Sequence, residues 1–552
     1  MFGYFQILLV WPSRLYLRLG DRQFESPNNA QHRVLRQIVE DLAQTEYGRH
    51  LGINGHEGLE DFRRKVPIAD YSELSPWVEA QKKSDEPILS PSRISLYEKT
   101  SGSSGRAKYI PYSPRLRATF ARMALTWIAD ILANGPRFRS GKTLISVSPA
   151  FAEEGKTESG VQIGLEDDAD YLPGVLGFFL KKFLVVPSGM KRLKNPADYR
   201  FVLSLVLLSE ENLEAISIWN PTYLTALLRF TVTHRQEMKF ALLSGRVKRG
   251  GYSFSFKPIS RARFKQIELM GQDSDWTVIW PRLKFISCWT DAGAKTFAEE
   301  IARNFPGVLI QSKGLLSTES PMTVPRFGAS FGVPLIADVF FEFLDSRGQI
   351  KLLQELEDGA RYEIIVSPLG GFARYRIGDH VEVSGRFGKT PCLKFIGRAE
   401  QVSDLVGEKL NENFVATALA RFSTRFQFLI PVLVERPPYY CLVTSEDDSE
   451  RLQNELDEAL SLAYHYGYAR KLEQLGKVQI VSVENPEEAY SAAFEKRGVK
   501  WGDLKYTSLV VNADDAAAIA SRLPMLRRTT QNSSKEARPR PRETTDSNLH
   551  PY

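Results

Sequence analysis

The sequence predicts an α/β protein, with a large N-terminal domain of mixed sheets and a β-barrel-like part, followed by a small mobile C-terminal α/β domain. Three observations carry this expectation. Helical apolar periodicity alternates with short apolar runs in the N-terminal part; short antiparallel-looking strands crowd the stretch from Ala337 to Ile396; and a fresh helix–strand alternation begins beyond Gly397-Arg398. Helix followed by strand, repeated, is the pattern of a layered, mostly parallel sheet.

The chain starts Met1-Phe-Gly-Tyr-Phe-Gln-Ile-Leu-Leu-Val-Trp11, an apolar run without a basic leader or a small-residue cleavage site, and too short to span a bilayer. It is expected to be a first helix docked on the protein body, with contact to a membrane surface through residues 1–11 as the alternative and no transmembrane segment. From about Asn29 to Thr45, Val34, Leu35, Ile38, Val39 and Leu42 recur at helical spacing. Pro67 and Pro76 then punctuate what reads as a loop-rich stretch. A second helix is expected from about Arg115 to Ala133, followed by a strand from Thr143 to Ser148.

Strands are expected at Ala215–Trp219, Leu283–Cys288 and Gly307–Gln311, with helices from about Thr222 to Leu243 and Ala294 to Asn304 between them. Antiparallel strands follow at Ala337–Leu344, Tyr362–Ser367, His380–Ser384 and Cys392–Ile396. The small domain reads as a helix near Asn413 to Phe422, strands at Pro431–Val434 and Tyr440–Val443, a helix from about Glu450 to Tyr466, a strand at Lys477–Ser482 and a helix near Pro486 to Lys496. From about Arg527 the chain is polar and Pro-interrupted, with too little apolar surface to offset chain entropy. The expected organisation is therefore a large domain over residues 1–397, a small domain over 398–526 and a disordered tail over 527–552.

At 552 residues, with 43% hydrophobic and 25% charged residues, the chain has an ordinary globular composition and the length of roughly two to four structural units. Cys288, Cys392 and Cys441 are far apart and match no metal-ligand spacing. That pattern suits a reducing, cytoplasmic setting without disulfides or zinc. The net charge of +6 is dispersed apart from the tail, and no aromatic-interleaved basic stripe is present, so nucleic acid is not an expected partner.

Four segments carry chemistry. Thr100-Ser-Gly-Ser-Ser-Gly-Arg-Ala-Lys108 lies in a turn between two extended pieces; such a loop can aim backbone N–H groups and hydroxyls at phosphate oxygens, although Gly/Ser composition alone equally describes a linker. Gly135-Pro-Arg-Phe-Arg-Ser-Gly-Lys-Thr143 superficially resembles a P-loop. Five residues separate its glycines where four are needed, and it precedes a strand instead of opening a helix, so it reads as a basic turn. Leu316-Ser-Thr-Glu319 puts the Ser317 and Thr318 hydroxyls beside a carboxylate that could hold Mg²⁺ near phosphates. Gly370-Gly-Phe-Ala-Arg-Tyr-Arg-Ile-Gly-Asp379 ends in a carboxylate just before a strand, where it can accept both ribose hydroxyls or simply close a turn. Gly397-Arg398 opens the segment running to Lys409, whose glycines suit a hinge.

The order of these segments resembles that of the adenylate-forming superfamily. Within it, the chain is most similar to the auxin-responsive acyl-acid amido synthetases, especially bacterial members. The likeness spans nearly all the chain up to the tail, through Thr45-Glu-Tyr-Gly-Arg49, Thr100-Ser-Gly-Ser-Ser-Gly105, Phe340-Phe-Glu-Phe343, Ala373-Arg-Tyr-Arg-Ile-Gly-Asp379 and Ser403-Asp-Leu-Val-Gly-Glu-Lys-Leu410. The resemblance implies ATP and Mg²⁺ as cofactors, and as partners a small carboxylic acid and an amine such as an amino acid. It implies a nucleotide site made of Thr100, Ser101, Gly102, Ser103, Ser104, Gly105, Lys108, Ser317, Thr318 and Asp379, with Glu319 on the metal and Arg398 at the hinge.

Arg497-Gly-Val-Lys-Trp-Gly-Asp-Leu-Lys-Tyr-Thr507 looks like the family segment whose lysine enters the active site during adenylation; Lys505 is the candidate and Lys500 the substitute, since the Pro-Arg that follows that lysine in the family is absent. Leu315 stands where plant members usually carry a Tyr. Two rival readings keep the fold: coenzyme A as the acyl acceptor, or a nucleotide-binding protein without turnover.

Overall fold

The computed structural model describes residues 2–101, 107–145, 155–163, 183–187, 189–193, 195–271, 273–291, 294–398, 402–423, 426–433, 437–447, 449–484, 486, 489–490 and 508–523. Contacts divide the chain into two units, Met1–Glu400 and Gln401–Tyr552.

In the first unit, helix α1 (Phe2–Asp21) is seated by a few specific anchors. The Gln6 amide donates to Pro136 O at 3.2 Å and accepts from Phe138 N at 2.8 Å, and Leu17 packs on Ala129 and Ala133. Helix α2 (Pro27–Ala43) starts at a proline, whose missing N–H is no loss in a first turn. It buries Val34, Leu35, Ile38, Val39 and Leu42, each contributing roughly 1.5–3 kcal/mol before entropy is counted.

Helix α3 (Tyr71–Lys83) replaces the loop expected around Pro76. Asp70 and Glu73 form a reciprocal capping box that starts the helix, and the Ser72 carbonyl that Pro76 cannot reach accepts from the Ser75 hydroxyl at 2.9 Å instead.

Strands β1 (Leu96–Ser101) and β2 (Ala107–Tyr112) pair as an antiparallel hairpin, with Leu96 opposite Tyr112 and Ser101 opposite Ala107. Helix α4 (Pro114–Asn134) follows directly, its first turn capped by Ser113. Strands β3 (Lys142–Ile145), β4 (Leu213–Ser217), β5 (Phe285–Cys288) and β6 (Leu309–Ser312) make a wholly parallel sheet in the order β6-β5-β4-β3. Helices α5 (Pro196–Ser209) and α6 (Pro221–Ser244) flank β4 in sequence, and α7 (Lys295–Asn304) separates β5 from β6. Their buried side chains form one core.

Strand β4 is buried throughout, yet its second residue is Glu214. The carboxylate is wrapped by the N–H groups of Arg139, Ser140 and Gly141 at 2.7–2.8 Å and by the Ser140 hydroxyl at 2.9 Å. Burial pushes this carboxyl up, and those bonds outweigh it, so it titrates below its ordinary range. The Gly135–Thr143 turn therefore spends its backbone donors on the protein's own carboxylate.

Where a β-barrel-like part is expected, the described residues form a five-stranded antiparallel sheet of β7 (Val339–Leu344), β8 (Ile350–Leu352), β9 (Arg361–Pro368), β10 (Tyr375–Phe387) and β11 (Thr390–Arg398), in the open order β8-β7-β9-β10-β11. It shares a core with α2 and the hairpin.

In the second unit, the short strands β12 (Val402–Ser403) and β13 (Leu410–Asn411) precede α8 (Glu412–Leu419). Strands β14 (Phe428–Val432) and β15 (Tyr439–Thr444) pair antiparallel, and β16 (Gln479–Ser482) joins β15 in parallel. The helix expected from Glu450 to Tyr466 is two helices, α9 (Glu450–Ser461) and α10 (Tyr464–Lys471). Asp457 draws the chain back, accepting from Tyr466 Oη at 2.8 Å and from Arg470 Nη2 at 2.9 Å. Most of the helix expected near Pro486 to Lys496, and the whole tail from 527 to 552, lie outside the described residues.

The loop from β12 to β13 folds around Glu408, which is buried and accepts from Leu405 N and Val406 N at 2.7 Å each and from Tyr440 Oη. Burial, with Asp404 beside it, pushes this carboxyl up to about 7 against the pull of those bonds. Between the ordinary value of 4.5 and about 7 the folded unit holds a proton that the unfolded chain has released, so its stability falls as pH rises through that window and levels off above it. Amide exchange of Tyr439–Thr444 measured from about pH 5 to about pH 8, corrected for intrinsic rates, should show falling protection, and Glu408→Gln should flatten the slope.

Candidate active site

The site is built from the hairpin outward. Thr100 pairs with Lys108 and Ser101 with Ala107, so the expected phosphate loop is the tip of the β1–β2 hairpin. Gly102, Ser103, Ser104 and Gly105 lie outside the described residues, as do the side chains of Thr100 and Ser101. Lys108 Nζ stands 5.6 Å from the centre of the Tyr71 ring. Tyr71 Oη in turn accepts from Tyr109 N at 2.8 Å, which fixes the middle of β2 to α3. Burial pushes the Tyr71 hydroxyl up to about 12, with Glu319 among the carboxylates that add to it.

Ser317, Thr318 and Glu319 form a tight turn. Leu316 bridges Pro321, Ser317 N donates to Ser320 O at 3.0 Å, and Ser320 N donates back to Ser317 Oγ at 3.1 Å. The Ser317 hydroxyl thus has a role in closing the turn. Two tyrosines attach this turn to the other motifs. Tyr112 Oη, at the end of β2 and 206 residues earlier, donates to Thr318 O at 2.7 Å. Tyr375 Oη, in β10, donates to Glu319 Oε1 at 3.1 Å.

The same meeting point is locked a third time, because Ser113 Oγ caps α4 through Leu116 N at 3.1 Å and donates to Gly370 O at 2.7 Å. Gly370 has φ +75°, and a Cβ there would come within 2.3 Å of Ser113 Oγ, so only glycine fits.

Behind Tyr375 sits Arg374, a non-glycine residue at φ 47° and buried. Its guanidinium donates from Nε to Glu342 Oε2 at 2.8 Å, from Nη2 to Glu342 Oε1 at 3.2 Å, and from Nη1 to Arg63 O and Val66 O at 2.9 and 2.7 Å. Arg63 Nε donates to the same Glu342 carboxylate at 2.9 Å. Arg374 N also donates to Ser367 Oγ at 2.8 Å.

Asp379 is buried and lies inside β10, not ahead of a strand as the sequence reading places it. The register explains the difference. Glu363 faces His380 and Ile365 faces Arg376, so β10 carries two extra residues at a bulge where Gly378 adopts φ +84°. Across the next ladder Asp379 faces Arg398, whose side chain is outside the described residues. Lys505 and Lys500 are also outside them.

One group escapes the sequence reading. Trp219, Trp289 and Lys313 follow the carboxyl ends of β4, β5 and β6, the edge at which parallel sheets bind ligands. Lys313 Nζ donates to Ser217 Oγ at 2.7 Å and lies 4.8 Å from the Trp219 ring centre and 5.1 Å from that of Trp127. Trp219 and Trp289 are 6.1 Å apart, and Trp127 Nε1 donates to Gln311 Oε1 at 2.9 Å. The residues share no periodicity; the one available signal was position, just past each parallel strand.

Residues 20–310 match the GH3 family N-terminal domain and residues 332–398 the GH3 family central domain. The chain is 23% identical over 450 residues to indole-3-acetic acid-amido synthetase GH3.3 of Arabidopsis thaliana, an alignment covering 74% of this chain and 73% of that protein. Among solved structures it resembles AtGH3.15 acyl acid amido synthetase in complex with 2,4-DB, with a TM-score of 0.65, 18% identity and coverage of 92% and 96%. It also resembles a 2-hydroxyisobutyryl-CoA ligase, with a TM-score of 0.51, 13% identity and coverage of 91% and 94%.

Removing the charge from Glu342 leaves Arg374 buried and unpaired. Glu342→Gln should therefore cost about 3–5 kcal/mol in urea unfolding of the first unit.

Proposed function

Because this chain belongs to the GH3 family, we propose that it is an ATP-dependent acyl acid amido synthetase, which activates a carboxylic acid as an acyl-adenylate and passes the acyl group to an amine. The observation that carries this reading is the pair of bonds from Tyr112 to Thr318 and from Tyr375 to Glu319, which gather three distant motif segments at one place.

In the first half-reaction a carboxylate oxygen of the acid attacks the α-phosphorus of ATP, the bond to the bridging oxygen breaks, and pyrophosphate leaves. In the second, the amine nitrogen attacks the activated carbonyl carbon, AMP leaves, and the nitrogen loses a proton. Thr100, Ser101, Gly102, Ser103, Ser104, Gly105 and Lys108 are assigned to the phosphates, Ser317 and Thr318 to the turn beside them, and Asp379 to the ribose. Arg398 is assigned to the hinge and Lys505 to charge compensation during adenylation.

Glu319 is the carboxylate assigned to Mg²⁺, which takes one or two carboxylates plus substrate phosphates, and a single Glu tethered by Tyr375 fits that habit. Bound there, the ion would neutralise phosphate charge. Among the described residues no group of three or more His, Cys, Asp or Glu is disposed to hold a metal without such phosphates.

The body of the acid is assigned to the wall of Trp127, Trp219 and Trp289. Half-exposed indoles at the carboxyl edge of the parallel sheet suit a flat apolar acid, the class named in the indole-3-acetic acid-amido synthetase relative. Three buried free cysteines support a cytoplasmic setting. Among the described residues no helix is long and apolar enough to cross a membrane.

Acid-dependent exchange of labelled pyrophosphate into ATP tests the first half-reaction before an amine has to be chosen. Exchange with at least one member of a broad acid panel is expected, and silence across the panel would overturn the assignment; a thioester formed in place of an amide would reassign the acceptor to coenzyme A. Glu319→Ala should lower the exchange rate by about 100-fold or more. Trp219→Ala should raise KM for aryl acids by about tenfold while leaving KM for ATP within about twofold.

A further inference from the structure

Nearly all of helix α1 lies ahead of the GH3 match, which begins only at residue 20. It is nonetheless an ordered part of the first unit. Gln6, Ser13 and Leu17 are buried, one face of the helix being turned onto α4 and the turn that follows it. The opposite face is bare and apolar: Leu8 is 72% exposed, Trp11 71%, Leu15 43% and Leu19 53%. Their spacing of three, four and four residues stacks them in one stripe, half a turn round from the buried set. Arg14 and Arg18 are exposed along one flank of that stripe, Arg14 also donating from Nη2 to Ala133 O at 3.4 Å. The single carboxylate of the helix, Asp21, is spent on the buried Arg326, at 2.7 and 2.9 Å.

We propose that this outer face of α1 docks on an anionic lipid bilayer, the leucines and Trp11 entering the interface and Arg14 and Arg18 meeting lipid phosphates. Charge decides between a bilayer and a second copy of the chain. A two-fold contact would lay the same face on itself, and that face carries arginines with no carboxylate to receive them. An anionic surface supplies the missing negative charge, and tryptophan with leucine beside arginine is the composition of interfacial helices. The polar anchors at Gln6 and the Asp21–Arg326 pair keep the stripe pointing away from the body, so docking requires no unfolding.

The full-length protein should co-sediment with vesicles of phosphatidylcholine plus phosphatidylglycerol, and about tenfold or more weakly with phosphatidylcholine alone. Leu15→Glu should weaken binding to the anionic vesicles by about tenfold or more, and Arg14→Gln with Arg18→Gln by about fivefold or more. Phe240→Glu, which changes an 81% exposed side chain away from α1, should leave binding within about twofold. Unchanged thermal unfolding of Leu15→Glu, expected for an exposed residue, shows that lost binding is not lost folding. No sedimentation with anionic vesicles, equal loss in Phe240→Glu, or a concentration-dependent dimer that Leu15→Glu abolishes without any vesicle binding would each overturn the proposal.

Discussion

The buried pair between Arg374 and Glu342 is the constraint on which the rest of the site depends. Arg374 is held at φ 47°, a backbone state that costs a non-glycine residue about 1–3 kcal/mol. Its bonds to Glu342, Arg63 O, Val66 O and Ser367 Oγ over-determine that state, and the next residue, Tyr375, is thereby aimed at Glu319. A free arginine at this position would relax toward the ordinary helical or extended region and carry Tyr375 with it. The Phe340-Phe-Glu-Phe343 and Ala373-Arg-Tyr-Arg-Ile-Gly-Asp379 motifs are therefore two halves of one device.

Three layers of structure meet where that device points. The antiparallel sheet brings Tyr375; the hairpin brings Tyr112; the parallel sheet runs out through β6 and Lys313 into the Ser317–Glu319 turn. Each junction is a side-chain hydroxyl donating to a main-chain or carboxylate oxygen, as in Tyr112 to Thr318, Tyr375 to Glu319 and Ser113 to Gly370. Such bonds are individually modest, about 0.5–1.5 kcal/mol, or up to about 3 kcal/mol to a carboxylate, but they are directional. They fix where Glu319 stands without burying it.

Much of the fold was legible because apolar spacing is a local signal. Val34 to Leu42 announced α2, and the alternation of helices with short apolar runs announced the parallel sheet. What was hidden depended on partners distant in sequence. Pro76 concealed α3 because the capping box at Asp70 and the rescue of the Ser72 carbonyl by Ser75 are details of side-chain geometry. The strand expected from Ala215 starts two residues earlier and includes Glu214, because the turn at Arg139–Gly141, distant in sequence, encloses that carboxylate. In the site, motif order singled out Glu319 and Asp379 from the sequence, whereas the bulge that carries Asp379 and the Trp127, Trp219 and Lys313 group exist only in three dimensions.

In the proposed nucleotide site the hairpin loop, the Ser317–Glu319 turn and the Tyr375–Asp379 strand act together, and the P-loop-like turn at Gly135–Thr143 has no part. Hydrogen–deuterium exchange of the full-length protein with and without ATP and Mg²⁺ tests this grouping most directly. Joint slowing of exchange is expected in peptides covering 97–112, 315–321 and 370–380, with 135–143 unchanged. Slowing confined to 135–143, or ATP binding that leaves all three segments unaffected, would contradict it.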